Sequence, residues 1–135
     1  MKVGFTGTRE GMTQAQREAV AGVLARLSAL EFHHGDCIGA DEQAAEIART
    51  IGYKIYSHPP SNAAIRAFTT ADVELEPRDY LVRNRAIVDA TDVMVAAPVG
   101  PEVQRSGTWS TVRYARRIGR VVHVVMPDGN KESAG

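Results

Sequence analysis

The sequence is poor in cysteine, in aromatic residues, in net charge and in long apolar runs, and each shortage excludes something. Cys37 is the single cysteine among 135 residues, which rules out a disulfide framework and any zinc site built from several thiolates. Lys and Arg number 16 and Asp and Glu number 16, so no global field steers the chain onto nucleic acid or an anionic membrane. Any basic site has to be local. Aromatic residues are only 6% of the chain, and no basic, aromatic-rich extension of the kind that tracks single strands is present. No apolar run approaches the ~18–20 residues of a membrane span, and the opening Met1-Lys2-Val3-Gly4 lacks the apolar stretch of a signal peptide. A reducing cytoplasm is the expected compartment, and no membrane partner is expected. What remains is ordinary globular composition, 44% apolar and 24% charged. A chain of this size buries roughly 65–70% of its unfolded surface, enough for one core without staples.

Short apolar runs alternate with helical patterns. Val3–Thr6 reads as a strand ended by Gly7. From Thr13 to about Leu30, Val20, Val23, Leu24 and Leu27 form one helical stripe, with Thr13 as N-cap. Glu31–His34 is a second strand. Asp41 opens a helix through Ile51 that Gly52 stops, and Tyr53–His58 is a third strand closed by Pro59-Pro60. A short helix over Ala63–Phe68 and an exposed loop over Thr69–Glu76 follow, in a region (61–77) whose role the pattern does not disclose. Arg78–Ala90 is helical. Val93–Ala97 is continuously apolar, as in a strand buried on both faces. Thr108–Ile118 is the last helix, Val121–Met126 the last strand and Pro127–Gly135 a frayed tail. The alternation predicts an α/β fold: one doubly wound Rossmann-like domain over residues 1–127, with about five parallel strands and helices on both faces. Residues 128–135 are expected to be a flexible tail.

In such sheets ligands bind beyond the carboxyl ends of the strands, at the switch in strand order. The first strand ends in Gly7-Thr8-Arg9. The second ends in Gly35-Asp36-Cys37-Ile38-Gly39-Ala40-Asp41. The fourth ends in Ala97-Pro98, and the helix after it opens with Ser106-Gly107-Thr108. Glycines there let backbone N–H groups approach an anion, and helix N-termini add a positive dipole end. Neither glycine segment completes the dinucleotide fingerprint, and no Walker A motif is present. In Arg83-Asn84-Arg85 the two arginines lie about 200° apart on a helix, so one of them can face the strand ends and grip a phosphate while Asn84 stays near the apolar side. His33, His34, His58 and His123 are expected in structural or surface roles, His33 and His34 on opposite faces of their strand. Cys37 reads as a small residue lining its turn, and Trp109 as packing on the sheet. Neither a metal site nor a resident cofactor is called for.

These segments, with Arg83-Asn84-Arg85-Ala86-Ile87-Val88 and Tyr114-Ala115, resemble the SLOG superfamily of Rossmann-like domains. That superfamily includes the cytokinin-activating phosphoribohydrolases and the DNA-processing protein A family; the small stand-alone YspA-like members are the most similar. The resemblance implies a pocket for a nucleotide or nucleotide-derived ligand, with Gly7, Thr8, Arg9, Gly35, Gly39, Asp41, Gly107 and Thr108 at matching positions. Asp36, Ala40, Arg83, Asn84, Pro98 and Ser106 complete the expected ligand-binding set. One departure matters. The phosphoribohydrolase branch has a glutamate shortly after its Gly-Thr pair, whereas Gly107-Thr108 is followed by Trp109-Ser110-Thr111. Cleaving an N-glycosidic bond builds positive charge on the sugar, which a hydroxyl stabilises poorly. An enzyme would have to take its carboxylate from Asp36, Asp41 or Glu102. The expectation is therefore a sensor or carrier of a nucleotide-derived ligand, with an N-glycosidase as the alternative. Nucleic-acid binding, resting only on the stripe Arg113, Arg116, Arg117 and Arg120, is the weakest reading. A homo-oligomer is expected, as in the proteins it resembles.

Overall fold

The computed structural model describes residues 1–134. In chain order the elements are β1 (Lys2–Gly7), α1 (Gln14–Leu27), β2 (Glu31–His34), α2 (Ala40–Ile51), β3 (Lys54–Ser57), β4 (Val73–Glu74), α3 (Tyr80–Asp89), β5 (Val93–Ala97), α4 (Gly107–Arg117), β6 (Val121–Val125) and β7 (Lys131–Ala134). One sheet contains all the strands in the order β4-β3-β2-β1-β5-β6-β7. The pairs from β4 through to β6 are parallel, and β7 joins β6 antiparallel. The chain winds outward from β1 to β4, then crosses back to place β5 on the other side of β1. That reversal leaves a crevice between the carboxyl ends of β1 and β5.

The side-chain alternation of β5 assigns the two faces. Val93, Val95 and Ala97 pack with Val3, Phe5 and Phe32 beneath α1 and α2. Met94 and Ala96 pack with Ile87, Val88, Trp109 and Val112 beneath α3 and α4. Helices cover both faces, and Trp109 packs on the sheet as its sequence context predicts.

Residue Gln16, only 1% exposed, locks α1 to the sheet. Its Oε1 accepts from the Thr13 N–H at 3.0 Å, while the Thr13 hydroxyl accepts from the Gln16 N–H at 3.0 Å, a reciprocal capping box. Its Nε2 then donates to the Pro98 carbonyl at 2.8 Å and the Val125 carbonyl at 3.1 Å. One side chain thus joins the start of α1 to the ends of β5 and β6.

Two strands were outside the sequence expectation of five. β4 lies within the stretch expected as an exposed loop; it is drawn onto β3 by tertiary bonds, with Asp72 accepting from the Ile55 N–H at 2.7 Å. β7 lies within the expected tail. Pro127-Asp128-Gly129-Asn130 turns the chain, with Gly129 at φ +86 and the Met126 N–H bonded to the Asn130 carbonyl at 2.9 Å. That tetrapeptide is a turn signal, and the edge of β6 supplies the partner. The tail is therefore corrected to a hairpin as far as Ala134; Gly135 lies outside the described residues. The expected helix over 63–68 is a single 3-10 turn at Ala63–Ile65.

Replacing Gln16 with Ala strips two buried carbonyls of their donor and opens the cap, and it is expected to cost about 2–4 kcal/mol. Urea denaturation checks this; a loss below about 0.5 kcal/mol would show that the Pro98 and Val125 carbonyls find other partners.

Candidate functional site

At the switch point the chain opens a crevice of about 410 Å³. β1 and the turn after it supply Thr6, Gly7, Thr8, Arg9 and Glu10. Cys37 and Asp41 form one side, Tyr80, Arg83 and Asn84 of α3 a second, and Arg105 to Thr108 a third. Val99 and Val103 stand at the mouth, both more than half exposed.

The end of the crevice richest in free donors is the start of α4. The Ser106 hydroxyl caps it by accepting from the Trp109 N–H at 3.2 Å. The first two amides, of Gly107 and Thr108, precede any intrahelical acceptor and border the crevice. The Thr108 hydroxyl, on a residue 7% exposed, has no protein partner among the described residues and also borders it. A Cβ at Gly107 would meet the Tyr80 hydroxyl, so a larger residue there would push the Tyr80 ring aside at the crevice.

Arg83 is 3% exposed and its guanidinium is held mainly by oxygens that carry no charge. Nε donates to Asn84 Oδ1 at 2.7 Å, and Nη1 donates to the Gly35 carbonyl and, at 3.4 Å, to the His58 carbonyl. Both Nη atoms lie 3.6 Å from Cys37 Sγ. Among the described residues no carboxylate comes within ion-pair distance of it. Arg9 and Arg105 are exposed at the rim and also lack ion pairs among the described residues.

Asp41 is the buried acid of the crevice, 6% exposed, and accepts from the Cys37 N–H at 3.2 Å. Burial pushes its carboxyl up to about 6, against the opposing pull of the Arg83 guanidinium. Burial likewise raises the Cys37 thiol, which keeps it protonated at neutral pH and argues against a nucleophilic role.

The expected residues divide into three groups. Gly7, Thr8, Arg9, Asp41, Arg83, Asn84, Ser106, Gly107 and Thr108 do line one crevice. Gly35, Gly39, Ala40 and Pro98 sit behind its wall. The Ala40 N–H donates to the Thr8 carbonyl at 2.9 Å, and the Gly39 N–H donates to Glu42 Oε1 at 3.2 Å. Gly39 has φ +96, and a Cβ there would meet the backbone of Thr8 and Arg9, so this position needs glycine. The amides of the second glycine turn are consumed internally, which corrects the expectation that this turn cradles an anion. Asp36 and Glu102 are not brought to the crevice. Asp36 is fully buried; its carboxylate accepts from Arg66 Nε at 2.7 Å and from the Thr69 N–H at 2.9 Å, anchoring the 61–72 segment. Glu102 pairs with Arg113 at 3.1 Å on the outside of α4.

Sequence reasoning missed Tyr80, Arg105 and the valines of the 98–106 loop. The spacing of Arg105 immediately before the Ser106 cap was an available signal; nothing local marked Tyr80. The histidines take structural places. His33 Nδ1 and His58 Nε2 lie 2.8 Å apart and His33 Nε2 is 2.9 Å from Glu31, while His34 Nδ1 accepts from the Asp36 N–H at 3.0 Å on the other face. The arginine stripe of α4 is broken up: Arg113 pairs with Glu102, Arg117 stacks on Tyr114, and Arg120 Nε donates to the Thr91 carbonyl at 2.9 Å. Among the described residues no group of acids, histidines and cysteine is placed to hold a metal, and no helix is long and apolar enough to cross a membrane.

Fold and crevice together define a Rossmann-like α/β domain with an arginine-lined crevice at its switch point. Solved structures share the fold. The molybdenum cofactor binding protein from the phototrophic bacterium Rippkaea orientalis superposes with a TM-score of 0.72 at 21% identity, over 93% of this chain and 76% of that one. The Moco carrier protein from Chlamydomonas reinhardtii gives 0.61 at 19% identity, over 94% and 75%. The DNA processing protein A from Helicobacter pylori, described for its single-stranded DNA binding mode, gives 0.62 at 21% identity, over 92% and 64%. No protein-family profile and no curated protein sequence matches the chain. The Rossmann-like α/β fold expected from the sequence is therefore shared with these structures.

The raised Asp41 carboxyl makes stability depend on pH. The folded state favours the protonated acid, so this contribution is complete below about pH 4, the ordinary carboxylate range, and is lost as pH rises through about 6. Asp41→Asn is expected to raise the melting temperature relative to the parent at pH 8, with an advantage on the order of 2–3 kcal/mol, and to show little gain at pH 4. A difference constant across that range in thermal melts would remove the buried acid as its cause.

Proposed function

We propose that the chain binds a phosphorylated, nucleotide-derived small molecule in the switch-point crevice and serves as its carrier or sensor. The observation that carries the reading is convergence. The free amides of α4, the unpartnered Thr108 hydroxyl and the guanidinium groups of Arg9, Arg83 and Arg105 border one cavity. A phosphate there receives charge-assisted hydrogen bonds in a partly dehydrated setting. Carriage is favoured over turnover because two of the three candidate carboxylates, Asp36 and Glu102, are held away from the crevice, leaving Asp41 and the exposed Glu10 on its lining. Two solved structures of the same fold are described as a molybdenum cofactor binding protein and a Moco carrier protein, which supports ligand carriage as the kind of task the fold accepts.

Thermal melts of the full chain with adenosine monophosphate test the reading. A probe at a hundredfold excess over its Kd stabilises by about 2.7 kcal/mol, several degrees for a domain of this size. Arg105→Ala is expected to weaken binding roughly tenfold to a hundredfold, the worth of a charged hydrogen bond. No shift with any nucleoside phosphate would end the proposal.

A second reading keeps one specific observation. Asp41, raised to about 6, is poised to hold or release a proton near neutral pH, as N-glycosidic hydrolysis would need. Free base appearing by chromatography from a nucleoside monophosphate, and vanishing with Asp41→Asn, would establish the enzyme; intact substrate after prolonged incubation would dismiss it. The compartment and the oligomeric state belong to the same proposal. A homo-oligomer suits α3, which leaves Leu81 and Val82 more than half exposed, and size-exclusion chromatography reads that state directly.

A further inference from the structure

The imidazoles of His33 and His58 are 4% and 5% exposed, and a line of hydrogen bonds fixes which of their nitrogens carry protons. His33 Nε2 lies 2.9 Å from Glu31 Oε1, a bond that holds the Glu31 carboxyl below its ordinary range. An ionised carboxylate can only accept, so the proton is on His33 Nε2. Burial keeps the His33 ring neutral, which leaves its Nδ1 a bare acceptor. The 2.8 Å contact between the rings is therefore His58 Nε2–H donating to His33 Nδ1. Burial pushes the His58 ring down to about 3, so it too is neutral and its Nδ1 keeps a lone pair. That nitrogen has no hydrogen-bond partner among the described residues. It is not one of the sealed polar atoms of the interior either, so it opens on free space.

The space is a cavity of about 330 Å³ behind the crevice, lined by His58. Arg83, Ala86 and Ala90 of α3 form one wall, and Leu75, Glu76 and Arg78 form the other. Only Arg83 is shared with the crevice. Arg78 and Glu76 are exposed, and neither has an ion-pair partner among the described residues. We propose that this cavity is a second small-molecule site and that it takes a small aromatic hydroxy acid. The ligand hydroxyl donates to His58 Nδ1, the ring lies between Leu75 and the two alanines, and the carboxylate pairs with Arg78. A buried acceptor left without a donor is costly, and a ligand hydroxyl removes that cost. Ala86 and Ala90 stand one turn apart on the same face of α3, and their short side chains leave a flat wall for a ring. The volume falls at the low end of the ~300–1,000 Å³ range of small-molecule sites, which suits a single ring. Glu76 offsets one of the two guanidinium charges, so the site has room for one carboxylate rather than two. None of this depends on what the crevice holds.

Titration calorimetry of the full chain, with nitrogen-15 spectra of its imidazoles, tests the site using 4-hydroxybenzoate, benzoate and phenol. The hydroxy acid is expected to bind roughly fivefold or more tightly than benzoate, which lacks the donor, and than phenol, which lacks the acid. It is also expected to move the His58 Nδ1 resonance away from that of an unbonded, unprotonated nitrogen. Ala86→Leu fills the cavity and Arg78→Ala removes its free cation. Each is expected to cost roughly tenfold or more in affinity for 4-hydroxybenzoate, with the response of the melting temperature to adenosine monophosphate unchanged. Arg78→Ala, on an exposed side chain, carries the test should the larger side chain at position 86 unfold α3. Equal affinity for the three probes, no binding of any of them, or a proton found on His58 Nδ1 in the free protein overturns the inference. Competition with adenosine monophosphate that persists in Ala86→Leu would place the acid in the crevice and overturn it as well.

Discussion

Much of the structure depends on a single buried cation. Arg83 enters the interior from α3 and is held by the ends of two neighbouring strands, through the carbonyls of Gly35 after β2 and His58 after β3. Taking a guanidinium out of water is expensive unless its donors are satisfied. Here backbone oxygens and Asn84 satisfy most of them, and a buried carboxylate, Asp41, lines the same crevice without closing an ion pair. The fold therefore holds a positive charge at the strand ends that is geometrically fixed and electrostatically incomplete. Gly35 follows from this: a Cβ at that position would occupy the space of the Arg83 guanidinium.

That constraint also decides which of the glycine turns opens onto the crevice. The turn after β2 spends its amides on Asp41, Glu42 and the segment around Ile65, and its carbonyl on Arg83. It becomes a wall. The start of α4 has no acidic residue in its first turn, so its dipole end meets nothing of opposite sign from its own helix. Between two helix N-termini of similar sequence character, local acids neutralise one and leave the other open.

The fold was legible because its rules are local. Apolar runs of strand length, helical stripes and stop glycines place β1, β2, β3, β5, β6 and the four helices within a few residues of where they lie. β4 escaped because two residues carry no period, and its pairing comes from Asp72 reaching back to Ile55. β7 escaped because Lys131–Ala134 carries no apolar alternation to mark a strand after its Pro-Asp-Gly-Asn turn. The crevice was legible where strand ends and helix starts coincide, as at Thr8 and Thr108. It was not legible where side chains choose between inside and outside. Arg83 and Arg85 are equivalent in sequence, yet one is buried at the site and the other stacks on Tyr114. Asp36 and Asp41 belong to one turn, but the positive φ of Asp36 helps turn its carboxylate towards Arg66 and away from the crevice.

The electrostatic balance of the crevice bears on what chemistry it suits. Hydrolysis at a sugar carbon develops positive charge in the transition state, and acceleration requires a group that stabilises that charge more than it stabilises the ground state. Here the fixed charges are guanidinium groups and an amide-rich helix end, which hold an anionic ground state firmly. Two carboxylates line the crevice: Glu10 is exposed on the turn after β1, and burial raises the Asp41 carboxyl to about 6, so neither is a firmly held, fully desolvated negative charge where a cation would form. Such a surface lowers the energy of the bound phosphate without lowering the barrier to its reaction by a like amount. On the carrier reading proposed above, a crevice with this balance of charge favours an intact ligand over a reacting one.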